Sequence, residues 1–80
     1  MITLTNASFN QRTEEEYDIE VTNIESLKEA SDGHREYIER NNLGASNCIE
    51  GEVRVNGRLI AKVSYNGRVW TAENRIEIEV

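Results

Sequence analysis

Eighty residues leave room for one hydrophobic core and exclude two, and even that core must be thin. The formal net charge of −6 lacks the basic footprint of a general nucleic-acid binder, so direct nucleic-acid contact is not expected. One cysteine, Cys48, and one histidine, His34, exclude an internal disulfide and a zinc cluster, leaving the core or self-association to supply stability.

A hydrophobic fraction of 38% with 30% charged residues, in ordered apolar spacing, fits a single folded domain over residues 1–80 rather than a disordered chain. The first residues carry no basic stretch ahead of an apolar run, and no segment approaches the roughly 20 apolar residues that cross a bilayer. A cytoplasmic protein without membrane association is expected. The sequon Asn6-Ala7-Ser8 then reads as an accident of composition.

In chain order, Ile2 to Phe9 alternates weakly, and Tyr17, Ile19 and Val21 alternate clearly with Asp18, Glu20 and Thr22, which predicts two strands. Between them, Asn10 to Glu16 reads as a polar loop. A helix is predicted from Thr22 or Asn23, where Thr22-Asn23-Ile24-Glu25 has capping-box spacing, to Asn42–Gly44. Ile24, Leu27, Ser31, His34 and Ile38, flanked by Ala30 and Tyr37, form its core side. Opposite them, Glu25, Glu29, Asp32, Glu36 and Glu39 recur every three or four residues as an acidic stripe. Gly33 marks a place where the helix could bend.

The C-terminal part repeats itself, Val55-Asn56-Gly57-Arg58 being echoed by Tyr65-Asn66-Gly67-Arg68. Asn-Gly between β-branched and aromatic residues is a strong hairpin signal, so a three-stranded antiparallel meander is predicted. Three-residue loops would pair Val53 with Leu59 and Val63 with Val69, placing Val53, Leu59, Ala61, Val63 and Val69 on one face and Glu50 opposite Lys62. In the second hairpin the same loop turns Trp70 toward Ile60 and Lys62, whereas a two-residue loop would bury it opposite Val63. A last alternating run, Ile76, Ile78 and Val80, predicts a terminal strand. The fold class is α+β, one helix packed on an antiparallel sheet with a C-terminal meander.

Chemistry is sparse. Cys48 and His34 could form a nucleophile–base pair, but no third residue is placed by the sequence to orient the base, and the reading is of a core-edge histidine beside a small thiol. The helix carboxylates have no apolar pocket to raise a pKa, and the glycines form no phosphate-cradling loop, so neither an enzyme nor a cofactor is expected. Two surfaces remain. The acidic stripe is either a solvated helix face or an imitation of a phosphate backbone for a basic groove. The meander's outer face gathers Arg58, Lys62, Arg68 and Trp70, with Arg54 and Ile60, residue types that dominate interfaces, unless Trp70 is in the core.

Gly51-Glu52-Val53-Arg54-Val55-Asn56-Gly57, followed by Lys62, Asn66-Gly67-Arg68 and Trp70 and preceded by a helix with Ser26, Leu27, Lys28 and Ala30, resembles small phage-encoded anti-CRISPR proteins, particularly inhibitors of type I-F surveillance complexes. The likeness covers Tyr17 to Thr71. It implies a steric inhibitor acting in the host cell cytoplasm, which binds a Cas subunit of a type I effector complex and keeps target DNA from its basic channel without a cofactor. Basic or polar contacts in such proteins map to Lys28 and Arg35, while the acidity of this chain favours phosphate mimicry equally. The alternative is a small assembly protein that forms a homodimer through its C-terminal strand.

Overall fold

Alternating apolar residues and Asn-Gly turns produce strands that all run antiparallel to their neighbours. The computed structural model describes all 80 residues. The elements are β1 (Ile2–Asn10), β2 (Glu15–Ile24), α1 (Leu27–Arg40), β3 (Gly51–Val55), β4 (Arg58–Val63), β5 (Val69–Thr71) and β6 (Glu77–Ile78). They form one six-stranded sheet in the order β2-β1-β3-β4-β5-β6, with α1 on one face. This is the expected α+β arrangement, the meander β3-β4-β5 being continued by β6 on one side and by β1 and β2 on the other. No helix is long and apolar enough to cross a membrane.

The core lies between α1 and the centre of the sheet. Leu4, Val53 and Ala61 are cross-strand neighbours in one row, Val63, Val69 and Ile78 in the next, and Ala30 of α1 closes over them. Ile2, Ile24 and Leu27 pack around the edge. Only 13 of 80 residues are buried, so the core is as thin as the length requires and polar contacts must help to hold the helix in place.

The helix starts later than its sequence predicts. Ser26 is the N-cap, its Oγ accepting the Glu29 N–H at 3.2 Å, while the Glu29 carboxylate accepts the Glu25 N–H at 2.6 Å. Thr22 and Ile24 are instead the end of β2, paired with Leu4 and Ile2. Capping-box spacing occurs twice, at Thr22–Glu25 and Ser26–Glu29, and ladder pairing against β1 takes the first away from the helix. The helix stops at Arg40, just short of the predicted Asn42, and passes Gly33 without interruption. A Cβ there would lie 3.0 Å from Leu4 Cδ2, so a larger residue would require the Leu4 side chain to shift.

Both N-terminal strands are longer than predicted, so Glu15 and Glu16 belong to β2 and the connecting loop shrinks to Gln11–Glu14. The Asn10 side chain closes it, its Oδ1 accepting N–H bonds from Arg12 at 2.9 Å and Thr13 at 3.3 Å. Between Asn6 and Ser8 the register shifts, with Asp18 bulging from β2 at φ +51°.

The two hairpins use different turns. Asn56 and Gly57, both at positive φ, make a two-residue turn between Val55 and Arg58, not the predicted three-residue loop. A further irregularity between Val53 and Arg54 then leaves Ile60 unpaired on β4, so Val53 faces Ala61, Arg54 faces Leu59, and Glu52 rather than Glu50 faces Lys62. The bulge restores the parity that the shorter turn changes, and Val53, Ala61, Val63 and Val69 still share the buried face. Leu59 does not join them. The second hairpin has the three-residue loop, Ser64 N–H bonding Arg68 C=O at 2.9 Å with Gly67 at φ +87°, and it pairs Val63 with Val69 and Lys62 with Trp70.

Candidate functional site

One helix covers one face of a six-stranded sheet and leaves the other without a second layer. Across that open face the ladder forms an unbroken row through all six strands, Val21, Thr5, Glu52, Lys62, Trp70 and Glu77. Trp70 therefore lies away from the core, half-buried, in the orientation that the three-residue loop implies. Its indole N–H donates to Ser64 Oγ at 3.1 Å, and the Arg75 guanidinium sits 5.3 Å from the ring centroid, held by a two-bond ion pair with Glu50. The ring is thus fixed by a hydrogen bond on one side and a cation on the other.

The basic residues named from the sequence separate here. Lys62 is the immediate neighbour of Trp70, and Arg68 reaches Glu77 at 3.8 Å, one strand beyond. Arg58 stands at the other end of β4, opposite Val55, exposed and in no ion pair, beside a cleft of about 270 Å³ that Leu59, Ile60, Ala72 and Ile76 also line. Arg54 pairs with Glu52 at 3.0 Å. Arg75 carries no signal of this role in the sequence, because its stacking on Trp70 requires the turn after β5, where Arg75 itself has φ +50°.

The acidic stripe is also rearranged. Glu25 precedes the helix and is not part of it, because the helix begins after Ser26. The Glu29 carboxylate is occupied by the cap, and Asp32 pairs with Lys28 at 3.0 Å. Glu36 and Glu39 stay exposed and in no ion pair, and so do Glu15, Glu16 and Asp18 on β2, the strand nearest that side of the helix. Arg40 spans the two elements with paired bonds to Glu20 at 2.6 and 3.0 Å, which hold the Glu20 carboxyl below its usual pKa and raise that of Arg40. Glu36 and Glu20 therefore share the cleft between α1 and β2, and Glu15 lies on the helix side opposite Asn10, whereas register puts Glu16, opposite Phe9, on the open face.

Beneath the helix runs a buried polar network. His34 Nδ1 lies 2.8 Å from Asn6 Oδ1, and Cys48 Sγ is 3.8 Å from His34 Nε2. Asn6 is thus the third residue that the sequence did not bring to this pair, and its burial takes the sequon out of solvent. Desolvation drives His34 down to about 4 and pushes the Cys48 thiol up, so both groups are held neutral, the reverse of the thiolate–imidazolium form that activates a nucleophile. The thiol proton is directed to the Ile49 carbonyl at 3.3 Å. Alongside, Tyr37 O–H donates to the Asp18 carbonyl and accepts from Ser8 Oγ, both at 2.8 Å, and burial raises the phenol pKa. These bonds tie α1 to β1, β2 and the segment before β3.

Comparison with protein-family models, with curated proteins and with solved structures returns no match.

Proposed function

We propose that the chain is a protein-binding inhibitor that docks through the open face of its sheet and turns its acidic α1–β2 side outward. The observation that carries this reading is the uncovered row through Lys62 and the immobilised Trp70. Trp and Arg supply much of the energy of protein interfaces, and a ring already held in one orientation loses little entropy on binding. The resemblance to anti-CRISPR proteins supplies the partner, a Cas subunit of a type I effector complex. Docked there, Glu36, Glu39 and Glu15 repel or replace the phosphates of target DNA at the basic channel. No cofactor enters this function.

The test is to incubate the protein with reconstituted type I effector complexes and to measure binding and target-DNA engagement separately. Trp70→Ala is expected to abolish binding, whereas Glu36→Lys with Glu39→Lys is expected to leave binding in place and to readmit DNA. Failure of the unmodified protein to bind any type I complex would overturn the assignment of the partner.

Self-association through sheet edges is the second reading. The C-terminal strand offers little edge for it, since β6 is only Glu77–Ile78, and the longer edge, the ten-residue β2, carries four carboxylates and no basic residue.

A further inference from the structure

β2 has a ladder partner on one side only, so along Glu15–Ile24 a second row of backbone groups has no strand beside it. A free strand edge is a template for another strand. Ile19 and Val21 are 58% and 66% exposed, Val21 in the regular ladder opposite Thr5 and Ile19 beside the bulge at Asp18, and a lateral strand would cover both. β2 also contains Glu15, Glu16, Asp18 and Glu20 and no basic residue, and only Glu20 has an ion-pair partner. Register puts Val21 on the open face opposite Thr5, and Glu20 and Glu15 on the helix side opposite Asn6 and Asn10.

A second copy fits this edge badly, because two β2 strands would bring four carboxylates against four on chains each carrying −6. We infer that β2 receives a seventh strand from its partner, an extended segment in which basic and apolar residues alternate. Its basic side chains lie beside Glu15 and Glu20, its apolar ones beside Ile19 and Val21, and its main chain completes the free ladder. The added strand extends the open face to its outer margin. This mode of binding rests on the reading of the chain as a protein-binding module, but not on which protein it binds.

The experiment titrates the isotopically labelled protein with a peptide of alternating Val and Lys, about nine residues long to match a strand. Two controls accompany it, an alternating Val and Glu peptide and the Val–Lys peptide with N-methyl groups on alternate residues, which block the ladder and keep the charge. The expected result is chemical-shift change and slowed amide exchange confined to β2 and β1, with both controls binding at least about tenfold more weakly. Glu15→Lys, at an exposed side chain on the helix side, should weaken the Val–Lys peptide by a similar factor and leave the circular dichroism unchanged. Equal binding of the N-methylated peptide would overturn strand addition and leave charge alone as the attraction. Shifts centred on Trp70 and Lys62, self-pairing through β2, or no binding at millimolar peptide would overturn it as well. No Cas subunit is present, so these outcomes leave the effector-complex test untouched.

Discussion

The imidazole of His34 and the amide of Asn6, 2.8 Å apart, meet directly over the bare Cα of Gly51. A Cβ on Gly51 would stand 2.9 Å from His34 Nδ1 and 3.1 Å from Asn6 Oδ1, and both groups are buried with nowhere to retreat. Gly51→Ala is therefore expected to destabilise the fold by about 1–3 kcal/mol, the cost of overpacking a tight site. Gly44→Ala, whose Cβ would meet nothing closer than 3.8 Å, serves as the control. Urea unfolding of the two variants against the parent checks the difference.

The same burial makes His34 a pH-dependent element. In the unfolded chain the imidazole titrates near 6.5, whereas desolvation holds it near 4 in the fold. On acidification the unfolded state takes up the proton first, so His34's contribution is complete above pH 6.5 and is lost as pH falls from there toward 4. A shift of that size corresponds to about 3 kcal/mol. The Glu20–Arg40 pair adds a loss of the same sign at lower pH, below the ordinary carboxyl value of 4.5. Unfolding free energies measured between pH 7.5 and 5 isolate the histidine, and His34→Gln should flatten that part of the profile.

Ser26 and Thr22 offer the two candidate caps for one helix, and only Ser26 accepts a helix N–H. Ser26→Ala should cost about 1 kcal/mol, while Thr22→Ala, exposed on β2, should change stability by only a few tenths. Thermal unfolding of both variants would distinguish them, and equal effects would contradict the placement of the cap.

Gly57 has open space around it and still resists substitution. Its φ of +85° is unfavourable for an L side chain, so Gly57→Ala should lose about 1 kcal/mol without any clash. Gly67→Ala should lose more, because φ +87° is joined by contacts of 3.2 and 3.3 Å to the Arg35 side chain, whose guanidinium bonds the Tyr65 carbonyl. Chemical denaturation of the pair orders the two turns.

Cys48 should react slowly with alkylating reagents at neutral pH. Desolvation keeps the thiol protonated, and the thiolate is the reactive form. A rate rising only above the pH range of an ordinary thiol, and a marked acceleration in urea, are the expected observations.

What the sequence determined by itself is local. Alternation over Ile2–Phe9 and Tyr17–Thr22, the helical spacing of Ala30, His34, Tyr37 and Ile38, and the Asn56-Gly57 and Asn66-Gly67 turns identified the strands, the buried helix side and the meander, because each signal is held within a few residues. Distant partners decided the rest. Which of two identical cap spacings starts the helix depended on Thr22 and Ile24 pairing with β1, and the bulge at Ile60 reset a register that the turn alone would have inverted. Asn6, His34 and Cys48, scattered along the chain, meet only when the helix lies across β1, and Arg75 finds Trp70 only after the last turn closes. The open face and the free edge of β2 exist for the same reason: one helix can cover one side of a sheet, and strand order alone determines which strand is left at its margin.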